Sequence, residues 1–370
     1  MKDSFLPNVA GPGRLPAVDR LLSMSTQTQT QKRSTQLLDV LAGYDQLLIV
    51  MHDNPDPDAI ASGWAVQTLI EEKLGTPTRL IGGGAIVRAE NLHMVELLGP
   101  PIQLVLSVEV PDNCATVLVD CALGASNQLL TRSATKPVAI IDHHMTECQD
   151  ADVSFVDIRP DVAASATIAA DYLREQQIEP GPKLATALVY AMRTETRGCE
   201  THHSPLDNAV LVWLTERAEP ALLAEIENAP LSRRYFADLA AAMHETAIYK
   251  DTAFCMLPHA AGPEIVGEVA DLLIRCRGIH RALCAAVVDD DLLLSARTER
   301  GSDNACLLLQ RTLAGIGGCG GHGHRAGGKI AHVNGNRHRV EKMHQQVRQR
   351  WLDACGASAE TAQPLVPPGS

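Results

Sequence analysis

The stretch "LLIVMHDNPDPDAIAS", residues 47–62, decides how this chain folds. Its first five residues are a short apolar run of the kind that forms a strand, and the spacing from Ala59 predicts a helix reaching about Leu74. Between the two lie His52 and three aspartates, Asp53, Asp56 and Asp58. Carboxylates so close together repel one another unless something cationic sits among them. Asn-Pro and Asp-Pro are ordinary turn formers and Asp58 is a normal N-cap residue, so a capped helix accounts for part of the pattern. Imidazole and carboxylate together also suit a borderline divalent ion such as Mn2+, and the Asp-x-Asp spacing offers alternate carboxylates to two adjacent ions.

The same alternation recurs downstream. Strands are expected at 78–81, 115–120, 137–142 and 153–157, with helices over Ala163–Gln177 and Lys183–Arg193, a pattern that argues for a parallel sheet flanked by helices. Ligands of open parallel sheets bind at the carboxyl ends of the strands, so Asp56, Asp58, Asp120 and Asp142 are expected to converge on one crevice. The run "IDHHMTE", 141–147, adds His143 and His144 to that crevice, with Asp142 placed to orient one of them. A second pair, His202 and His203, falls in a polar loop and is expected to be inert.

The chain has 370 residues, 45% of them hydrophobic, enough for about two domains, and a formal net charge of −12. That charge is a poor match to a protein that coats long nucleic acid. Ten cysteines without a CxxC pair read as reduced thiols, which places the protein in the cytoplasm. No apolar run approaches the roughly 20 residues needed to cross a bilayer, so no membrane is expected as a partner. Residues 1–33 and 356–370 are expected to be a disordered leader and tail. Residues 34–204 form the first domain, 205–250 a helical linker, and 251–355 a smaller mixed α/β domain. Between Ser295 and Arg350 ten Lys and Arg face three acids, and an acidic first domain facing a basic second one suits a substrate that carries phosphate and is acted on by metal.

Four segments, "HDNPDPDAIAS", "VLVDCA" (117–122), "IDHH" (141–144) and "RTETRG" (193–198), resemble in order and spacing the motifs of the DHH phosphoesterase superfamily. "FVDIRPDVAASATI" (155–168) and "GGGAIVRAEN" (82–91) look like the segments between them. The resemblance implies that His52 and Asp56 hold one ion, Asp58 and His143 a second, and that Asp120 bridges them. Glu195 stands where the family normally has an aspartate, and would reach the second ion. His144 would bind the scissile phosphate or assist proton transfer, oriented by Asp142.

"GGHGHRAGG" (320–328) fits part of the GxxxxGK phosphate loop, but Ile330 replaces the Ser or Thr that would bind Mg2+, and a strand follows where that loop needs a helix. It is similar instead to the signature of the DHH-associated C-terminal domain. That similarity implies a substrate surface made of Arg297, Gly320, Gly321, His322 and Arg325. The family likeness implies two divalent ions, most readily Mn2+, with Mg2+ as the alternative. The expected activity is hydrolysis of short oligonucleotides or nucleoside bisphosphates by an activated water. An exopolyphosphatase-like hydrolase and a non-catalytic nucleotide-binding module, should Glu195 disable the site, are the alternatives. Small phosphorylated molecules or short oligonucleotides are the expected partners, with homodimerisation left open.

Overall fold

The computed structural model describes residues 31–125, 127–144, 152–196, 204–260, 262–299, 301–321, 323–333 and 337–367. Most of the expected leader, the His202–His203 pair, His322 and the last three residues of the tail lie outside them.

The first unit runs α1 (Arg33–Leu41), β1 (Gln46–Val50), α2 (Pro57–Leu74), β2 (Thr78–Gly82), α3 (Ala89–Leu98) and β3 (Ile102–Leu104). It continues through β4 (Cys114–Val119), α4 (Leu129–Arg132), β5 (Ala139–Asp142), β6 (Phe155–Ile158), α5 (Ser165–Glu175), α6 (Pro182–Thr196) and α7 (Pro205–Thr215). Its strands lie in the order β3-β2-β1-β4-β5-β6 and every pairing is parallel. Such a sheet is covered on both faces, so its central strand must be apolar throughout. Leu47, Ile49 and Met51 pack into the core beneath α2, α5 and α6, while Leu48 and Val50 meet Leu118, Leu130 and Ile140 on the other face. The chain leaves β1 toward β2 and β3 and returns on the other side at β4. The crevice at that reversal is the natural ligand site of the fold, and His52 and Asp120 are the residues that emerge on its two sides.

After α8 (Pro220–Glu227) and α9 (Arg233–Glu245), the second unit contains β7 (Ala247–Tyr249), β8 (Thr252–Leu257), α10 (Glu264–Leu273), β9 (Arg281–Val288) and β10 (Asp291–Thr298). It closes with α11 (Ala305–Leu313), β11 (Gly318–Gly321), β12 (Arg325–Ile330), α12 (Arg337–Cys355) and β13 (Ala362–Pro364). Its sheet, β11-β12-β10-β9-β8-β7-β13, is antiparallel except between β8 and β9. One core contains Val266 and Val269 of α10, and the other contains Leu309 of α11 with the fully buried Trp351 of α12.

The α/β class with a parallel sheet and a smaller mixed second unit is as expected. Two boundaries differ. The segment 205–250 is no free-standing linker: Val210, Leu214 and Ile226 of α7 and α8 join the first core, and Ala242 of α9 joins the second. The tail after Gly356, expected to be disordered, contributes β13, whose Ala362 sits opposite Tyr249. Its composition carries no such signal; the open edge of β7 supplies the backbone partners. Among the described residues, no helix is long and apolar enough to cross a membrane.

Ile49 is fully buried at the centre of the sheet. Ile49→Ala is expected to lower stability by roughly 2–5 kcal/mol, read as a fall in the urea midpoint with an unchanged slope.

Candidate metal centre

β1 ends at Val50, and the next residues are fixed by their own backbone. Asn54 takes a left-handed conformation at φ 55°, its N–H donates to the Gly83 carbonyl at 2.9 Å, and its Oδ1 accepts from the Ala85 N–H at 3.0 Å. A Cβ at Gly83 would stand 2.0 Å from Asp53 Oδ1 and 2.9 Å from Arg132 Nη2, so a larger residue there would displace their ion pair. Asp53 itself is neutralised by Arg132, whose Nη2 donates to Oδ1 at 2.9 Å, and so it stands apart from the other two aspartates. Asp56 is the N-cap of α2, its Oδ1 accepting from the backbone N–H groups of Asp58 and Ala59 at 3.0 Å each.

Asp58, 1% exposed, points the other way. Its Oδ2 and Oδ1 accept from the backbone N–H groups of Ser165 and Ala166 at 2.8 and 2.7 Å, at the positive end of the α5 dipole. Asp120 follows β4 at φ 54°, a left-handed conformation that aspartate tolerates better than most residues, and Ser165 Oγ donates to its Oδ1 at 2.9 Å. Its two oxygens diverge: Oδ2 lies 3.7 Å from His52 Nε2, and Oδ1 lies 3.6 Å from His143 Nε2. His52 Nε2 is also 3.8 Å from Asp56 Oδ1, and His143 Nε2 is 3.7 Å from Asp58 Oδ2. Two histidine–aspartate groups thus share one carboxylate.

Asp142 is fully buried, and its Oδ1 accepts from the backbone N–H groups of His143 and His144 and meets His144 Nδ1 at 2.7 Å. Its Oδ2 is buried with no hydrogen-bond partner among the described residues. His52, Asp56, Asp58, Asp120, His143 and His144 line one cavity of about 600 Å³, and so does Glu195 from the last turn of α6. Across it stand Gly320 and Gly321 of β11, in the second unit.

The electrostatics of the cavity are those of a site short of positive charge. Burial, then the charges of Asp120, Glu195 and Asp56, push the Asp58 carboxyl well above its usual range. Burial and then Asp56 raise Asp120 in the same way, and burial followed by Asp56 and Asp120 raises Glu195 to about 8. Burial opposes the charge on His52, but the hydrogen bond and charge of Asp56, with the charge of Asp120, lift it to about 10. For His144 burial is likewise outweighed, chiefly by the hydrogen bond to Asp142, and the result is about 9. Donor atoms of His52, Asp56 and Asp120 lie within 4.8 Å of one another, as do those of Asp120, His143 and His144. Oxygen and imidazole donors that bury excess negative charge at this spacing fit a divalent metal.

Two expected substrate residues are not in the wall of this cavity. Arg297 is 8% exposed, with Nε donating to Asp271 Oδ1 at 2.6 Å and Nη1 to Ser295 Oγ at 2.7 Å, so its donors serve its own sheet and α10. Arg325 pairs with the other Asp271 oxygen at 3.0 Å and faces a neighbouring cavity. His322 lies outside the described residues. Conversely, the sequence did not reveal Ser165 as a holder of two of the acids. Its only signal is its place in the "ASAT" segment at the start of α5.

Residues 46–192 match the DHH family, N-terminal domain. The first unit is thus a DHH-family domain. An uncharacterized protein of Methanocaldococcus jannaschii is 33% identical over 285 residues, which are 77% of this chain and 58% of that protein; the chain therefore spans little more than half of this relative's length. The fold is shared with an exopolyphosphatase-related protein from Bacteroides fragilis, with a TM-score of 0.64, 13% identity, and coverage of 87% of this chain and 97% of that one. It is also shared with RecJ of Thermus thermophilus, solved in complex with Mn2+, with a TM-score of 0.51, 14% identity, and coverage of 88% of this chain and 54% of that one.

Asp120→Asn is expected to weaken Mn2+ binding by more than roughly 100-fold in calorimetry, and Ser165→Ala by roughly 10-fold, the range of a partner acting from outside the ligand shell. Chelator-treated protein should also lose thermal stability as pH rises from 6.5 to 10. The folded state holds the protons of His52 and His144 to about 10 and about 9, so their stabilisation is complete below about 6.5 and lost through those values. Glu195, raised from 4.5 to about 8, loses its contribution as pH rises between those values and so acts in the same direction up to about 8. A melting temperature that rises over this interval contradicts the assignment.

Proposed function

We propose that this protein is a divalent-metal-dependent phosphoesterase acting on short oligonucleotides or nucleoside bisphosphates. The observation that carries this reading is the divergence of the two Asp120 oxygens toward His52 and His143. Two ions, Mn2+ by donor chemistry, would be held by His52 and Asp56 on one side and by Asp58, His143 and Glu195 on the other, with Asp120 between. When bound, such a pair activates a water and neutralises charge on phosphoryl oxygens.

The remaining work belongs to the protein's own groups. Asp142 holds His144 through Nδ1, which leaves Nε2 as the ring nitrogen able to donate to a phosphate oxygen or to protonate the leaving group. Gly320 and Gly321 have no side chain in the way, so the β11 backbone can come close to a phosphate. The N-terminus of α5 fixes Asp58, so the acids keep their positions as the charge of the substrate changes. Glu195 lines the same cavity as the other acids, consistent with a ligand role despite its extra methylene.

The purified chain with Mn2+ is expected to release mononucleotide from a dinucleotide, or phosphate from a nucleoside 3′,5′-bisphosphate, and to stop when EDTA is added. His144→Ala should lower kcat by roughly 100- to 10,000-fold with a smaller change in KM. No metal-dependent turnover on a panel of short phosphoesters contradicts the reading; turnover of polyphosphate alone moves it to phosphoanhydrides.

A further inference from the structure

Of the three aspartates that follow His52, Asp53 alone is absent from the wall of the metal cavity. Its carboxylate meets Arg132, the last residue of α4, as a fork: Nη2 donates to Oδ1 at 2.9 Å and Nη1 donates to Oδ2. The backbone N–H of Asp53 donates to the Asn127 carbonyl at 2.6 Å, and its own carbonyl meets His52 Nδ1 at 2.8 Å. A carbonyl can only accept, so this contact keeps a proton on Nδ1. Once the ring is neutral, Nε2 is the nitrogen that offers a lone pair, and Nε2 is the one that faces Asp56 and Asp120.

The fork spans the reversal of strand order. β1 runs directly into His52 and Asp53, whereas β4 runs into Asp120 and the chain then reaches α4 at Leu129. The approach to α4 docks on the first loop at three points: a bridge between Gln128 and His52, the Asp53–Asn127 hydrogen bond, and the Arg132 fork. The docked segment is itself anchored. Gln128, 1% exposed, caps α4 through Oε1, and Leu129 and Leu130 share one core with Leu48, Val50 and Leu118. From outside the cavity, Arg132 therefore ties the loop that carries His52 to the segment that follows Asp120. Asp58 and His143, on the other side, are held by different elements, the start of α5 and the end of β5. The Arg132 and Asp53 side chains are 42% and 19% exposed, and solvent screening leaves a pair of that kind little weight in global stability. What a two-pronged guanidinium–carboxylate contact supplies is fixed geometry.

We propose that the Asp53–Arg132 pair is a positioning element for one metal subsite, that of His52, Asp56 and Asp120, and leaves the subsite of Asp58, His143 and Asp120 untouched. The two subsites are then set separately, and a change at a half-exposed arginine outside the cavity tunes one while the other keeps its affinity. The inference rests on the two-ion part of the functional reading and is independent of the substrate.

The test is Mn2+ binding to the full chain, read by calorimetry with no substrate present, in two backgrounds. His143→Ala keeps the His52 subsite, and His52→Ala keeps the other. Arg132→Gln is expected to weaken Mn2+ binding by roughly 10- to 100-fold in the first background, the range for a group that acts through a ligand's partner, and to leave it unchanged in the second. Asp53→Asn should reproduce both results, and combining it with Arg132→Gln should add nothing, because the two remove one interaction. The melting temperatures of the chelator-treated variants should match those of their backgrounds. An unchanged affinity in the His143→Ala background, equal losses in both, or a loss that comes with a fallen melting temperature overturns the proposal, and so does the failure of either background to hold an ion. A loss confined to the His52 subsite, with no phosphoester turned over by the wild type, upholds the positioning role and defeats the phosphoesterase. Turnover by the wild type with equal Mn2+ losses in the two backgrounds does the reverse.

Discussion

The rest of the site depends on one electrostatic constraint, the gathering of Asp56, Asp58, Asp120 and Glu195 about a single crevice. Buried carboxylates repel each other and lose hydration, which raises the proton affinities of Asp58, Asp120 and Glu195, while the hydrogen bond and charge of His52 hold Asp56 low. The structure keeps them together with fixed dipoles. The first turn of α2 holds Asp56, the first turn of α5 holds Asp58, and the Ser165 hydroxyl holds Asp120. Each helix start aims orphan N–H groups at an acid, so the negative charge is organised before any cation arrives.

This arrangement is possible because the sheet around it is rigid. β1 and β4 are apolar on both faces, and the reversal of strand order between them parts the loops at their carboxyl ends. His52 and Asp120 leave these two strands directly, and the left-handed backbone at Asp120 turns its carboxylate between the two imidazoles. The second unit contributes a surface of different character, a glycine strand opposite the acids, with Arg275 and Arg325 to one side beside Arg88 and Arg193 of the first unit.

Much of this was legible in the sequence because it is local. A strand-forming run followed by closely spaced acids places His52, Asp56 and Asp58 together within one loop, and Asp142, His143 and His144 are consecutive at the end of another strand. Asp120 was legible from the strand it terminates. Features that depend on distant pairing were hidden. Ser165 meets Asp58 across 107 positions of chain, and Arg297 is claimed by Asp271 rather than by a ligand, a choice made by the packing of α10 against its sheet. The strand in the tail exists only because β7 leaves an edge open, and the cavity lined by Arg88, Arg193, Arg275 and Arg325 draws its residues from five separated segments, none of which carries a recognisable pattern.

Anomalous scattering from crystals grown with Mn2+ tests the central claim most directly. The account predicts two peaks flanking Asp120, one within ligand distance of His52 and Asp56 and the other within ligand distance of Asp58 and His143. A single peak, or peaks that do not touch Asp120, would contradict it.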